Sequence, residues 1–354
     1  MNLYVHFPFC RSKCAYCALF SRAGADACVR ESYSVRIARE IDALDIAPGE
    51  AHTIYFGGGS PMLCPLEPVL NAIRDKGLLS SDSECTVELH PLDVGSEELG
   101  RLRALGVNRV SLGVQTFDDA TLSFLRRRHT AADARAAISS LCGIFPSVGM
   151  DLIVGLPSPP VLEAIEEVLP SLSHVSVYTL IREPKTRLDL DIRKGRTSVP
   201  DDAATLAEFE SVRAILASNG FHRYEIANFA RPGFECRHNF AVWRGEDYTG
   251  LGDGACGRNG LSRTTGENGA YKTETISRES DALERALFSL RTSDGISLPR
   301  IAEQWPILAP LIPKWGQTLD FNVEQGLLSR SGCAYRLTRR GAEVCDSMLA
   351  DLMP

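Results

Sequence analysis

Between residue 1 and about residue 180, short β-rich apolar runs are each followed by a stretch whose apolar positions return at helical spacing. The runs predict strands at 3–6, 53–56, 85–89, 109–114, 150–154 and 175–180. The intervals predict helices at 32–44, 66–75, 96–105, 118–125, 131–141 and 161–169. Six alternating units imply a parallel sheet with helices outside, either an open doubly wound sheet or a partial (β/α) barrel.

Past residue 185 the pattern changes. A helical run at 202–217 leads through Gly220 to Tyr224-Glu-Ile-Ala-Asn-Phe229. A loop follows, carrying Cys236-Arg-His238-Asn239, Trp243 and the glycine-rich Gly250-Leu-Gly-Asp-Gly-Ala-Cys256-Gly257. This reads as an attachment that completes or covers the sheet edge. From about residue 279 a second helical region begins at 282–290, passes Gly326-Leu-Leu and a hairpin-like 333–337, and ends in a helix from Thr338. The expected division is 1–185 for the barrel, 186–278 for an α+β extension with the glycine-rich and His-Asn loop, and 279–354 for a small winged-helix-like domain.

Composition narrows the class. A chain of 354 residues, 44% hydrophobic and 23% charged, can bury a large core and shows no low-complexity tract. Its net charge of -7 argues against general polyanion binding, so no nucleic-acid partner is expected. Arg126-Arg127-Arg128 reads as a solvated face. No apolar stretch is long enough to span a bilayer, and no basic leader precedes an apolar segment at the start. With an odd count of 11 cysteines, the expected compartment is the reducing cytoplasm.

Cysteine is also where the chemistry begins. Cys10-Arg-Ser-Lys-Cys14-Ala-Tyr-Cys17 places three thiols on the loop after the first strand. Three thiolates can hold three corners of an iron–sulfur cube and leave one iron open. Structural zinc needs a second ligand pair, and no second CxxC occurs; a redox pair would leave Cys10 unexplained. Clustered buried cysteines are the plain structural alternative.

Other polar features fall on the same rim, where parallel α/β proteins form their sites. Gly57-Gly-Gly59-Ser60-Pro61 follows strand two, Glu88 and His90 end strand three, Gln115 ends strand four and Asp151 lies on strand five. The glycines let a ligand approach the backbone, although neither a dinucleotide nor a Walker motif is present. Glu88 and Asp151 on buried strands call for a partner, because a buried unpaired charge costs several kcal/mol. Together with Gln115 and Arg127 they could meet a zwitterionic ligand. His238, Cys236, His174, His129 and Cys256 are candidate metal or heme ligands, although a lone histidine is more often structural.

These residues carry a family resemblance. Tyr4-Val-His6-Phe-Pro8-Phe-Cys10, the cysteine triplet with Tyr16, Tyr55-Phe-Gly-Gly-Gly-Ser-Pro61, Gly113-Val-Gln115-Thr-Phe117 and Asp151-Leu-Ile-Val-Gly-Leu-Pro157 resemble the radical S-adenosylmethionine superfamily. Within it they are similar to the coproporphyrinogen oxidase-like group, and the likeness continues through residues 224–233 and Arg237-His-Asn239 to the end. The strand starting at Leu3, and Cys17-Ala-Leu-Phe20 without a further cysteine, resemble the HemW-type heme chaperones more than oxygen-independent coproporphyrinogen III oxidases.

The resemblance implies a partial (β/α)6 radical-SAM barrel with a [4Fe-4S] cluster on Cys10, Cys14 and Cys17. Its open iron would chelate S-adenosylmethionine (SAM), contacted by Tyr4, Tyr16, Gly58, Gly59, Ser60, Glu88, Gln115, Arg127 and Asp151. Reductive cleavage to methionine and a 5′-deoxyadenosyl radical is the chemistry such a pair supplies. The resemblance further implies heme binding, with His238 as heme residue, and transfer to an acceptor apoprotein, often respiratory. A reductant such as flavodoxin or ferredoxin is the other implied partner. Departures from the family pattern are Ser60 for threonine, His90 for asparagine, Arg126 for glycine, Val242 for tyrosine and Cys256 for histidine. Two alternatives stand beside a chaperone: a radical enzyme acting on a tetrapyrrole, and an iron–sulfur protein that only senses or supports.

Overall fold

In the computed structural model, which describes residues 1–354, strands and helices alternate as the periodicity predicts. The strands are β1 (Asn2–Phe7), β2 (Ala51–Gly58), β3 (Leu79–Leu89), β4 (Arg109–Gln115), β5 (Ser147–Val154) and β6 (His174–Thr179). Between them lie α1 (Ala27–Asp42), α2 (Glu67–Asp75), α3 (Ser96–Ala104), α4 (Asp119–Phe124), α5 (Ala131–Cys142) and α6 (Leu162–Val168). Each strand pairs in parallel with the next, the helices supplying the crossovers that parallel pairing needs.

Successive side chains of a strand face opposite ways, and here the two faces differ in chemistry. Leu3, Val5, Phe7, Ile54, Phe56, Cys85, Val87, Val110, Leu112 and Val114 face the helices, fully buried in a 50-residue core. The alternate positions carry Asn2, Tyr4, His6, Thr53, Tyr55, Glu84, Thr86, Glu88, Arg109, Ser111, Asp151 and Ser176. A doubly wound sheet is apolar on both faces. One polar face therefore means a curled sheet with a polar lumen, the partial barrel rather than the open sheet.

Beyond α7 (Arg187–Arg193) and α8 (Asp202–Ser218), the chain extends the sheet at both edges instead of merely covering one. β7 (His222–Arg223) and β8 (Asn228–Ala230) add antiparallel to β6. After α9 (Arg237–Trp243), β9 (Tyr248–Leu251) pairs in parallel with β1. β10 (Cys256–Asn259), β11 (Ser262–Glu267) and β12 (Ala270–Thr275) continue as an antiparallel meander. The 12-stranded order is β12-β11-β10-β9-β1-β2-β3-β4-β5-β6-β8-β7.

Residues 237–243 correct the sequence reading, which made this segment a loop. They form helix α9, although Cys236 offers no side-chain cap. The cap is supplied from the barrel: the Glu84 carboxylate accepts from the Arg237 and His238 amides at 3.0 and 3.1 Å. A carboxylate at a helix N-terminus satisfies amides that lack intrahelical partners, and one 153 positions away leaves no local signal.

The C-terminal part comprises α10 (Arg278–Phe288), β13 (Ile296–Ser297), α11 (Leu298–Gln304), α12 (Ile312–Glu324), β14 (Leu328–Ser331), β15 (Ala334–Leu337), α13 (Arg339–Glu343) and α14 (Cys345–Leu352). Its strands form a separate antiparallel sheet ordered β13-β15-β14. A second core of 14 buried residues, centred on Trp315, holds it together.

Candidate functional site

The three cysteines lie on the loop between β1 and α1, each half-buried. Backbone bonds fix the loop: the Ala15 amide donates to Leu125 carbonyl at 2.9 Å, and the Leu188 amide to Ala15 carbonyl at 2.8 Å. His6 ties its far end to β1. Its Nε2 lies 2.8 Å from the Phe20 carbonyl, which can only accept, so Nε2 donates and Nδ1 accepts from the Tyr4 hydroxyl at 3.0 Å. Burial lowers the His6 pKa, in keeping with this neutral form. Arg127 reaches the loop from beyond α4, with Nη1 3.7 Å from Cys14 Sγ and Nη2 donating to the Gly113 carbonyl. Of the three consecutive arginines, Arg127 alone turns inward. Arg126 before it adopts φ 59°, a left-handed conformation that explains why glycine is usual there.

A single metal ion would need every sulfur within about 2.3 Å of one point. No three His, Cys, Asp or Glu side chains converge that way. Three cysteines on one loop can give one thiolate to each of three irons of a cube, so the donor set is of the kind that an iron–sulfur cluster takes. Burial raises the Cys10 and Cys17 pKa values, with the neighbouring thiols adding to the effect, so both remain protonated until a metal displaces the proton.

The glycine loop after β2 runs against this assembly. The Gly59 amide donates to Phe7 carbonyl and the Ser60 amide to Phe9 carbonyl, both at 2.7 Å. A Cβ on Gly59 would lie 2.9 Å from the Phe7 oxygen and closer still to that of Phe9. Gly58 has φ 107° and packs under the His6 ring. Gly59→Ala is therefore expected to destabilise the protein by about 1–3 kcal/mol, measured by urea unfolding, because the obstructing atoms are backbone. An unchanged midpoint would show that the loop has another packing open to it.

The upper lumen holds the carboxylates. Glu88 accepts from Tyr55 hydroxyl at 2.9 Å and from the Gly58 amide at 3.1 Å. Desolvation, reinforced by the charge of Asp151, nevertheless raises its pKa to about 7. Asp151 accepts from Ser111 Oγ at 3.0 Å, and burial raises its pKa also. Gln115, at a bulge in β4, has φ 72°, an uncommon conformation for a residue with a side chain. Tyr16 packs on Leu125, Ile153 and Leu156, within electrostatic reach of Arg127, Cys14, Cys17 and Asp151. Arg127 and Tyr16 thus lie by the thiols, the Gly58-Gly59 loop packs on the chain that leads to them, Glu88 and Asp151 share the lumen, and Tyr4 is bonded to His6 and stacked on Tyr55. Ser60 lies on the glycine loop, its side chain making no hydrogen bond.

The radical SAM superfamily model matches residues 4–168, the segment that carries all of these groups. The Heme chaperone HemW of Bacillus subtilis is 33% identical over 99% of this chain and 100% of its own. The Mycobacterium tuberculosis HemW is 31% identical over 99% and 94%. The chain belongs to the radical SAM superfamily. Its homology to HemW-type proteins places it among the radical SAM proteins related to heme and porphyrins. A mouse radical SAM domain-containing protein 1, mitochondrial, is 30% identical over 99% of the chain and 87% of its own. The radical SAM enzyme coproporphyrinogen III oxidase HemN of Escherichia coli superposes with a TM-score of 0.83, over 99% and 89% of the two chains at 20% identity, which shows a common fold.

His238 reaches the polar face of the barrel from α9, beside Tyr4 and Tyr55. It begins α9 and projects among the inward-facing side chains at only 5% exposure, stacked 5.2 Å from Tyr55 and 6.2 Å from Tyr4. Asn2 Nδ2 donates to Glu246 Oε2, orienting the amide so that Oδ1 accepts from Thr53 Oγ1 at 2.9 Å. The Thr53 proton being committed, His238 Nδ1 donates to it at 2.8 Å and Nε2 keeps its lone pair. Burial lowers the His238 pKa to about 4. The departures Val242 and Cys256 line one small cleft of about 190 Å³, outside this group.

Sequence reasoning missed Tyr55, Thr53 and Ser111, which orient Glu88, His238 and Asp151. It also missed Gly113, where a Cβ would crowd Gln115 Nε2 at 3.0 Å and Arg127 Nη2 at 3.4 Å. Their shared signal was period 2: polar residues at i and i+2 along strands whose other face is wholly apolar.

Proposed function

We propose that this chain is a HemW-type heme chaperone. It holds a [4Fe-4S] cluster on Cys10, Cys14 and Cys17, binds SAM beside it, and carries heme to an acceptor apoprotein, often respiratory, in the cytoplasm. A flavodoxin or ferredoxin serves as reductant. The observation that carries this reading is relatedness from end to end: relatives named heme chaperones match 99% of the chain, including the part beyond residue 168 where the superfamily model stops. No helix is long and apolar enough to cross a membrane.

The chain's own groups have distinct tasks. Glu88 and Asp151 meet the ligand's ammonium, Arg127 and Gln115 its carboxylate, and the Gly58-Gly59-Ser60 backbone lets it lie close. Tyr4 and Tyr16 wall the chamber. A reduced cluster, when bound, supplies the electron that cleaves the sulfonium bond. The barrel occupies 1–185 and its extension 186–278. Residues 279–354 form a winged-helix-like unit, in keeping with three antiparallel strands among five helices.

Anaerobically reconstituted protein is expected to bind hemin and to form no protoporphyrinogen from coproporphyrinogen III. Optical titration and product chromatography on one sample measure both. Substantial decarboxylation would reject the chaperone reading in favour of an oxygen-independent coproporphyrinogen III oxidase.

A further inference from the structure

The net charge of the chain is -7, yet the segments that meet at the cysteine loop are basic. Residues 8–24 contain Arg11, Lys13 and Arg22 and no acidic residue. Arg126 and Arg128 are exposed on either side of the inward-turned Arg127. Residues 181–196 carry six lysines and arginines against three carboxylates. Ala15 joins the three segments, its amide donating to the Leu125 carbonyl at 2.9 Å and its carbonyl accepting from the Leu188 amide at 2.8 Å. Together they form a collar about the thiols.

The carboxylates do not cancel the outward charge of this collar, because they lie beneath it. Asp189, whose side chain is 3% exposed, pairs with Arg182 at 2.8 Å and Arg193 at 2.9 Å, whose side chains are 46% and 61% exposed. Asp191 is likewise less exposed than its partners Arg187, at 2.6 Å, and Arg196, at 3.2 Å. Buried Asp93 holds exposed Arg11 at 3.0 Å. With two arginines on each of Asp189 and Asp191, positive charge is left over. Lys13, Arg126, Arg128, Lys185 and Lys194 add to it, being exposed and without an ion pair. Leu19, Phe20 and Ile181 are exposed on the same segments, so the collar combines apolar side chains with a charged rim, as docking surfaces do. A face of one sign on a chain of the other selects and steers a partner opposite to the face.

We propose that this collar docks the reductant, an acidic one-electron carrier protein. The half-buried thiols lie on the collar's own loop, so a carrier seated there brings its redox centre beside the cluster. The carrier gives up one electron, the oxidised cluster accepts it, and the carrier leaves oxidised. The proposal rests on the reading that Cys10, Cys14 and Cys17 hold a reducible cluster.

The test sets Lys13→Glu, Arg128→Glu and Lys194→Glu together on the collar against Arg278→Glu, Arg300→Glu and Lys314→Glu together elsewhere, all exposed and without ion pairs. Both sets change the net charge equally, so only position differs. Reconstituted protein is mixed without oxygen with flavodoxin hydroquinone, and bleaching of the cluster is followed by stopped flow. The collar variant should be reduced at least about tenfold more slowly than wild type at low salt, and the distant variant should stay within about threefold. Raising salt from about 50 to about 300 mM should slow wild type and narrow the gap, because screening weakens the attraction. Dithionite, which needs no docking, should give the same reduced-cluster signal in all three proteins. A collar variant reduced as fast as wild type, equal slowing in both variants, or a dithionite-reducible wild type that flavodoxin does not reduce would overturn the docking surface while leaving the cluster standing. Collar substitutions that spare the flavodoxin rate and abolish binding to phosphatidylglycerol vesicles would overturn it too, making the face a membrane contact. Wild-type protein that forms no cluster, or one that dithionite does not reduce, would remove the cluster reading and the surface with it.

Discussion

Replacing Cys14 with alanine is expected to abolish the visible absorption and paramagnetic signal of an iron–sulfur cluster after anaerobic reconstitution. Cys14 is the middle of the three thiols, and Arg127 sits 3.7 Å from its sulfur. The loop does not depend on that side chain for its shape. Its anchors are backbone bonds, from Ala15 to Leu125 and from Leu188 to Ala15. The apo variant should therefore unfold within about 1 kcal/mol of wild type, the usual range for a substitution that removes no buried packing. No nearby cysteine replaces it: Cys28 is exposed at the start of α1, Cys64 is buried in the main core, and Cys256 and Cys333 are exposed elsewhere. Cys256→Ala is the matched control and should keep the signal. A cluster signal of full intensity in the Cys14 variant would reject this ligation, and with it the site for SAM.

The elements that were legible in the sequence are those whose causes are local. Strands β1–β6 and helices α1–α6 come from short-range periodicity, and each lies within a few residues of its expected position except at the longer ends of α1 and β3. The shared rim of cysteines, glycines and strand-end polar groups followed from parallel topology. What escaped was set by distant partners. Helix α9 depends on Glu84. The parallel addition of β9 to β1 joins residues 248–251 to 2–5, a contact that no local pattern encodes. The choice between open sheet and barrel was present in the alternation of Asn2, Tyr4 and His6 with Leu3, Val5 and Phe7. The element pattern alone did not use that alternation and left both architectures open.

The same alternation explains why acidic groups persist in the barrel. Polar residues on one strand face are costly unless they meet one another, water or a ligand. Glu88 meets Tyr55 and Gly58, Asp151 meets Ser111, and both keep some exposure toward the lumen. Desolvation outweighs these contacts and raises both pKa values, the charge of Asp151 adding to the effect on Glu88, so a cation bound beside them would be favoured.

That imbalance gives the second large expected effect, two opposite pH dependences that share one carboxyl group. Glu88 has a folded pKa of about 7 against an ordinary value of 4.5, so the folded state holds its proton more tightly than the unfolded chain does. Its contribution to stability is fully present below about pH 4.5 and is lost as pH rises through 7. The slope approaches about 1.4 kcal/mol per pH unit between those values. Apoprotein should accordingly lose stability between pH 5 and 7.5, and Glu88→Gln should flatten that part of the profile. Binding of a ligand ammonium runs the other way, because it needs the carboxylate. SAM affinity of the reconstituted protein should rise with pH through 7, and calorimetry near pH 6 in buffers of different ionisation enthalpy should register proton release. Glu88→Gln should bind SAM about tenfold or more weakly, having lost a charged hydrogen bond, and without the proton release. Stability that stays flat over this range in wild type would disprove the raised pKa. Proton release that survives in Glu88→Gln would move the titrating group to Asp151, the other buried carboxyl group whose pKa is raised in the same chamber.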